Sequence, residues 1–228
     1  YGSTSETSTE IRKYTRDLYS RLEAETGQAT GFKPIGFIEV ASDKDRLEEF
    51  RRVAAFNRYC GIDVQEISPR EVQDLFPLAK VDDIEAGFYV KEDGRVNPVD
   101  VTLEKNGRVT GVRTPYGDIQ TDYVVNCAGM WAREFGALSG VAISNQAAEH
   151  YYLITEAIKD LPPNMPVLED PSAYGYYREE GGGLMVGLFE PVCAPWKIEG
   201  IPTDMPYADL PPDWERMTPF LETAMARV

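Results

Sequence analysis

The apolar positions of this chain recur at helical spacing, then at strand spacing. Ile11, Tyr14, Leu18 and Leu22 fall three and four residues apart, behind a Thr7 and Glu10 capping pair and ahead of Gly27, a pattern that predicts an amphipathic helix. Pro34 to Ala41 reads as a strand, and its Gly36 marks either a bulge or a close approach to something bulky. A second helix opens at Ser42 and Asp45, turns Leu47, Phe50, Val53 and Ala54 inward, and ends near Cys60 and Gly61. Val64 to Ile67 is a short strand. Ser68, Pro69 and Glu71 combine a cap, a first-position proline and a reciprocal acid, and Pro77 closes the helix they start. Gly87 to Val90 is another strand. Asn97, Pro98 and Asp100 repeat the start signal, yet only Val99, Val101, Thr102 and Leu103 follow before the Lys105-Asn106-Gly107 turn. A helix of one turn gains too little to offset its nucleation.

Beyond Gly107 the period is that of short strands. Arg108 to Thr114 and Asp118 to Thr121 flank a Pro115-Tyr116-Gly117 turn and form a hairpin. Tyr123, Val124 and Val125 then read as a strand entering Asn126, Cys127, Ala128 and Gly129, with a helix from Met130 to Phe135. A strand, a small-residue turn and a helix start make a place where phosphates or a dinucleotide can sit, and tight packing produces the same pattern. Within Gln146 to Thr155, His150, Tyr152 and Ile154 alternate with Tyr151 and Leu153. Val167 to Asp170 is a short strand, and Tyr174 to Glu179 pairs with Leu184 to Phe189 across Gly181-Gly182-Gly183. Pro191 to Pro212 is a proline-rich loop, and Trp214 to Arg227 is helical with Pro219 interrupting it.

Composition narrows the function classes. A net charge of -15, from 23 Lys and Arg against 38 Asp and Glu, argues against a nucleic-acid backbone or an anionic membrane surface as partner. No apolar run approaches the roughly 18 residues that span a bilayer, so no membrane insertion is expected. Cys60, Cys127 and Cys193 are odd in number and widely spaced, which suits a reducing compartment, and a lone histidine without a Cys-x-x-Cys pair makes a metal site improbable.

Six stretches, in order, resemble the FAD-dependent amine oxidoreductases of the dimethylglycine and sarcosine dehydrogenase type, within the D-amino-acid-oxidase-like superfamily. They are LYSRLEAETGQATGFKPIGFIEVA, ISPREVQDLFPL, EDGRVNPVDVT, NGRVTGVRTPYGDIQTDYVVNCAGMWAREFG, EHYYLIT and YYREEGGGLMVGLFE. The resemblance implies an α/β plus α+β fold, part of a Rossmann-like FAD-binding domain with an antiparallel-sheet substrate domain. Residues 1–30 would be a helix adjoining the FAD domain, 31–92 and 141–228 two parts of the substrate domain, and 93–140 the FAD-binding portion.

The same resemblance implies the site. Asn126, Cys127, Ala128 and Gly129 would form an FAD-contacting turn with Trp131 close behind, and His150 and Tyr176 would be the catalytic pair. Tyr176 is preferred over Tyr174 and Tyr177 because an aromatic stands two residues before an arginine in the family, here Arg178. Tyr152 and Arg178 would meet the substrate, a small methylated amine such as sarcosine or dimethylglycine. The flavin carries out the redox step in such enzymes, and the protein supplies orientation and proton handling. The cytoplasm, or the mitochondrial matrix in a eukaryote, is the expected location, and the sequence does not identify the electron acceptor.

Departures from the pattern matter as well. No Gly-x-Gly-x-x-Gly follows an amino-terminal strand, the family's covalent flavin histidine would lie before residue 1, and the jump from Thr102 to Leu103 omits a helix and strand of the family. The expectation is a partial chain that does not hold FAD tightly alone, with tetrahydrofolate a ligand of a carboxyl-terminal domain outside it. A non-catalytic relative, the regulatory subunit of pyruvate dehydrogenase phosphatase, shares the Asn-Cys-Ala-Gly turn and the Glu-His pair and stands as the alternative.

Overall fold

In chain order the elements are α1 (Glu6–Thr26), β1 (Phe37–Ala41), α2 (Lys44–Tyr59), β2 (Gln65–Ile67), α3 (Pro69–Leu75), β3 (Ala86–Val90), β4 (Gly111–Thr114) and β5 (Gly117–Gln120). There follow α4 (Ala132–Leu138), β6 (Tyr152–Ile154), β7 (Val167–Asp170), β8 (Gly175–Glu180), β9 (Gly183–Leu188) and α5 (Trp214–Arg227). The computed structural model describes residues 3–27, 30–94, 111–114, 117–121, 123–138, 140–202 and 210–228. The chain forms two units, one of Tyr1–Pro98, Tyr151–Glu190 and Asp213–Val228, the other of Val99–His150 and Pro191–Pro212.

The first unit is built on a seven-stranded sheet in the order β2-β3-β1-β7-β8-β9-β6. Neighbours are antiparallel except β1 and β7, which run parallel. Because directly paired residues share a face, the register divides the sheet cleanly. One face carries Ile38, Val40, Leu168, Tyr177 and Leu188, all fully buried. Helices α3 and α5 pack on it, with Val72, Met217 and Ala224 buried.

Asp170 also points to this face, where its carboxylate takes the Arg227 Nε–H at 2.8 Å. The same guanidinium bonds Asp83 at 2.5 and 2.8 Å and the Lys80 carbonyl at 2.7 Å, tying the end of α5 to the loop after α3. On the other face α2 packs over β1 and β3, where Phe50 meets Phe88 edge-on at 5.5 Å among Ala41, Ala54, Val64 and Val90.

Local signals explain most of these elements. Ser68 and Glu71 form the full capping box of α3, with Pro69 at the first position. Asp43 caps α2 through the Arg46 amide at 2.7 Å. Gly36 does sit beneath something bulky, since an added Cβ would come 2.6 Å from the Tyr89 ring. The cap of α1 is Ser5 rather than Thr7, and Ile11 and Tyr14 remain 60% and 62% exposed. That helix is held through its first turns instead: Thr9 is buried and bonded to Ser3, and the Lys13 ammonium donates to the Cys60 carbonyl at 2.7 Å.

In the second unit β4 and β5 form the expected hairpin, and a 3-10 turn over Gly129–Trp131 leads into α4. Two expectations need correction. Tyr123, Val124 and Val125 are not a strand, and Tyr123 and Val125 are 87% and 82% exposed, since among the described residues no neighbouring strand pairs with them. The segment Gln146 to Thr155 is not one continuous strand either. It makes an isolated bridge from Ala148 to Pro195, and only Tyr152–Ile154 joins a sheet. The capped start at Asn97 to Leu103, residues 108–110 and the turn residues 115–116 lie outside the described residues. Among the described residues no helix is long and apolar enough to cross a membrane.

Candidate functional site

The sheet face that begins at Glu39 continues over four further strands. A single row of paired residues crosses it: Glu39 on β1, Glu169 on β7, Tyr176 on β8, Gly187 on β9 and Tyr152 on β6. A second row runs from Arg178 through Met185 to Ile154. Three residues singled out in the sequence, Tyr152, Tyr176 and Arg178, thus share one face of one sheet.

The arrangement of the two tyrosines follows from what lies between them. The Tyr176 ring crosses β9 above Gly187 and packs against Phe189 with centroids 4.9 Å apart. Tyr152, across Gly187, is half exposed. Burial raises the Tyr176 phenol above its ordinary value, with Arg178 opposing and Glu190, Tyr152 and Glu169 adding to the rise. The hydroxyl therefore stays protonated at neutral pH.

Arg178 donates Nε–H to the Met185 sulfur at 3.1 Å and pairs with Glu180 at 2.8 Å. Its charge is placed by an ion pair that a carboxylate ligand would have to share or displace. Glu39 is pushed up to about 7, first by burial and then by Glu169, and burial raises Glu169 too.

His150 belongs to the other unit, where its side chain is exposed and the preceding residue, Glu149, bonds its amide to the Ala194 carbonyl at 2.8 Å. Nearby in sequence stands the small-residue turn. Asn126 accepts the Ala128 amide at 3.1 Å and donates to the Ala132 carbonyl at 3.1 Å, closing the turn onto α4. Gly129 adopts φ +52 with open space where a Cβ would stand, and the Asn145 amide donates to its carbonyl at 2.8 Å. Cys127 is exposed. The Trp131 indole N–H is taken by the Pro202 carbonyl at 2.9 Å, which fixes the ring beside the turn and leaves no free donor on it.

The turn is open to a close backbone approach, as an FAD contact requires. The strand expected to back it is unformed, however. Asn126, Cys127, Ala128, Gly129 and Trp131 therefore fit one edge of an FAD site and do not make a whole one.

Sequence reasoning did not single out Gly187, Phe189, Met185 or Glu169. The signal that could have found them is strand parity: once Tyr176 is placed, every second residue of LMVGLF falls on its face.

Comparison with known proteins gives this face a context. The FAD dependent oxidoreductase family matches residues 1–104 and 100–228, two stretches that overlap at residues 100–104. Sarcosine dehydrogenase of Homo sapiens is 34% identical over 98% of the chain and 27% of its own length. The pyruvate dehydrogenase phosphatase regulatory subunit of Mus musculus is 34% identical over 96% of the chain and 28% of its own. Dimethylglycine dehydrogenase of Rattus norvegicus is 32% identical over 92% and 28%. The chain thus spans little more than a quarter of each. Among solved structures, L-proline dehydrogenase from P. horikoshii superposes with a TM-score of 0.73 at 21% identity, over 99% of this chain and 64% of that one. That likeness identifies the fold as the one this family shares.

Proposed function

The chain belongs to the FAD-dependent oxidoreductase family, and on that premise we propose that it is part of a flavoenzyme oxidising the N-methyl C–N bond of a small secondary or tertiary amino acid such as sarcosine or dimethylglycine. The observation that carries this reading is the sheet face that Tyr176, Tyr152 and Arg178 share. Relatives that bear the names of sarcosine and dimethylglycine dehydrogenases, at 34% and 32% identity respectively, support the substrate class.

FAD supplies the two-electron acceptor when bound. The residues of this chain bind, orient and handle protons. Arg178 offers a planar cation matched to a substrate carboxylate, and the Tyr176 hydroxyl, protonated at neutral pH, holds the amine or the carboxylate in place. His150 takes the ammonium proton, since an N-methyl carbon gives up hydride readily only from the neutral amine. Oxidation leaves an iminium, which water hydrolyses to an aldehyde and the demethylated amine. Asn126 to Gly129 with Trp131 form one cofactor-contacting edge. Residues 31–92 and 141–228 belong to the substrate domain and 93–140 to the FAD domain, from which a helix and strand between Thr102 and Leu103 are missing. Attachment of the flavin to a residue outside the chain and a tetrahydrofolate domain complete the reading, together with a location in the cytoplasm or, in a eukaryote, the mitochondrial matrix.

The regulatory-subunit relative matches as well as the dehydrogenases do, which favours one second reading, a non-catalytic protein that binds a phosphatase. Purification of the full-length protein separates the two. Yellow protein that turns over sarcosine or dimethylglycine supports the enzyme, whereas colourless protein that binds a pyruvate dehydrogenase phosphatase catalytic subunit overturns it.

A further inference from the structure

The row that runs from Glu39 to Tyr152 has a gap at Gly187, and the gap is filled from the side. Gly187 lies between Tyr176 and Tyr152 in register. An ideal Cβ on Gly187 would come 1.8 Å from Cζ of Tyr176 and 2.2 and 2.3 Å from its Cε2 and Cε1. Those are the atoms at the hydroxyl end of the ring, so the phenol tip rests on the bare backbone of β9, in the place of the missing methyl. Phe189, at 4.9 Å between centroids, lies against the same ring two residues farther along. The ring has a floor at Gly187 and a wall at Phe189.

From this geometry we infer that Gly187 is the positioning residue for Tyr176: its lack of a side chain lets the phenol lie across β9 and sets where the hydroxyl stands, on the side toward Tyr152. The inference rests on the proposed role of Tyr176 for its functional consequence, but the contact itself does not. A contact under 3.0 Å from a Cβ to ring carbons is sterically closed, and with Phe189 beside it the ring can yield only by lifting from the sheet. Lifting displaces the hydroxyl more than any other atom, because the hydroxyl lies farthest from the Tyr176 Cα.

Gly175 gives an internal contrast. A Cβ there would come 2.3 Å from the Tyr177 hydroxyl, on the opposite, buried face. Gly175 and Gly187 thus each make room for a tyrosine of β8, one on each face of the sheet.

The test is a double-mutant cycle in the full-length protein with Gly187→Ala, Tyr176→Phe and Tyr176→Ala. Gly187→Ala is expected to lower kcat/KM for sarcosine by up to about 100-fold, the scale of an ångström-sized misplacement. In the Tyr176→Phe background, which has no hydroxyl to misplace, the same change should lower it by less than about threefold. Thermal unfolding reads the contact without turnover. Gly187→Ala should lower the midpoint in the wild-type background and leave it nearly unchanged beside Tyr176→Ala, where the ring is gone. A midpoint loss of equal size in both backgrounds, or an unaltered kcat/KM in a folded Gly187→Ala protein, overturns the inference. If no N-methyl amino acid is turned over by the wild-type protein, the proposed function fails and the unfolding cycle still decides whether Gly187 seats Tyr176.

Discussion

Glu39 and Glu169 stand directly opposite each other on the parallel strands β1 and β7, so their carboxyl groups share one face of the sheet. Neither is fully exposed, and two charges held there would repel in a medium that screens them poorly. Burial first, and the Glu169 charge after it, push Glu39 up to about 7 from an ordinary 4.5.

A stability consequence follows from the sign of that shift. Between 4.5 and about 7 the folded protein holds a proton at Glu39 that the unfolded chain has released. Stability therefore falls as pH rises through this window and is level above it. Glu39→Gln removes the charge and should be more stable than wild type at pH 8 by on the order of 1–3 kcal/mol, with little difference at pH 4. Thermal midpoints of the two full-length proteins at both pH values check this.

The buried pair of Arg227 and Asp170 should behave in the opposite sense. Arg227→Met leaves the Asp170 carboxylate, wholly inaccessible to solvent, without its cation and is expected to destabilise by about 3–5 kcal/mol. Arg227→Met with Asp170→Asn removes the stranded charge and keeps an acceptor for the Ala173 amide, so the double variant should recover a large part of the loss. Denaturant unfolding of the three full-length proteins reads the difference.

How much of this was legible beforehand depended on the range of the forces involved. The α3 capping box, the β8 and β9 hairpin and the inward face of α2 came through at the residue level, because caps, turns and periodicity act over a few neighbours. Tyr123 to Val125 did not, because an apolar run becomes a strand only where another strand pairs with it. The α1 stripe at Ile11 and Tyr14 stayed exposed for a related reason: periodicity marks an apolar face and does not supply its cover. The parallel pairing of β1 with β7 joins residues about 130 apart and leaves no local trace. Of the candidate site, Tyr152, Tyr176 and Arg178 were readable from family resemblance. Gly187 became visible only when the register placed it beneath the Tyr176 ring.

His150 is the residue assigned to the amine proton. His150→Ala in the full-length protein is expected to slow reduction of the flavin by sarcosine by about 100-fold or more while flavin content changes little. Stopped-flow absorbance and the flavin-to-protein ratio measure the two quantities separately, and equal reduction rates would remove His150 from the mechanism.

The sheet face that carries Tyr176, Tyr152 and Arg178 is proposed to serve amine oxidation. The measurement closest to it is anaerobic mixing of the full-length flavoprotein with sarcosine and, separately, with dimethylglycine, followed by the flavin absorbance. Bleaching by at least one of them, much slower in Tyr176→Phe, is the expected result. A bound flavin that stays oxidised at saturating concentrations of both would contradict it.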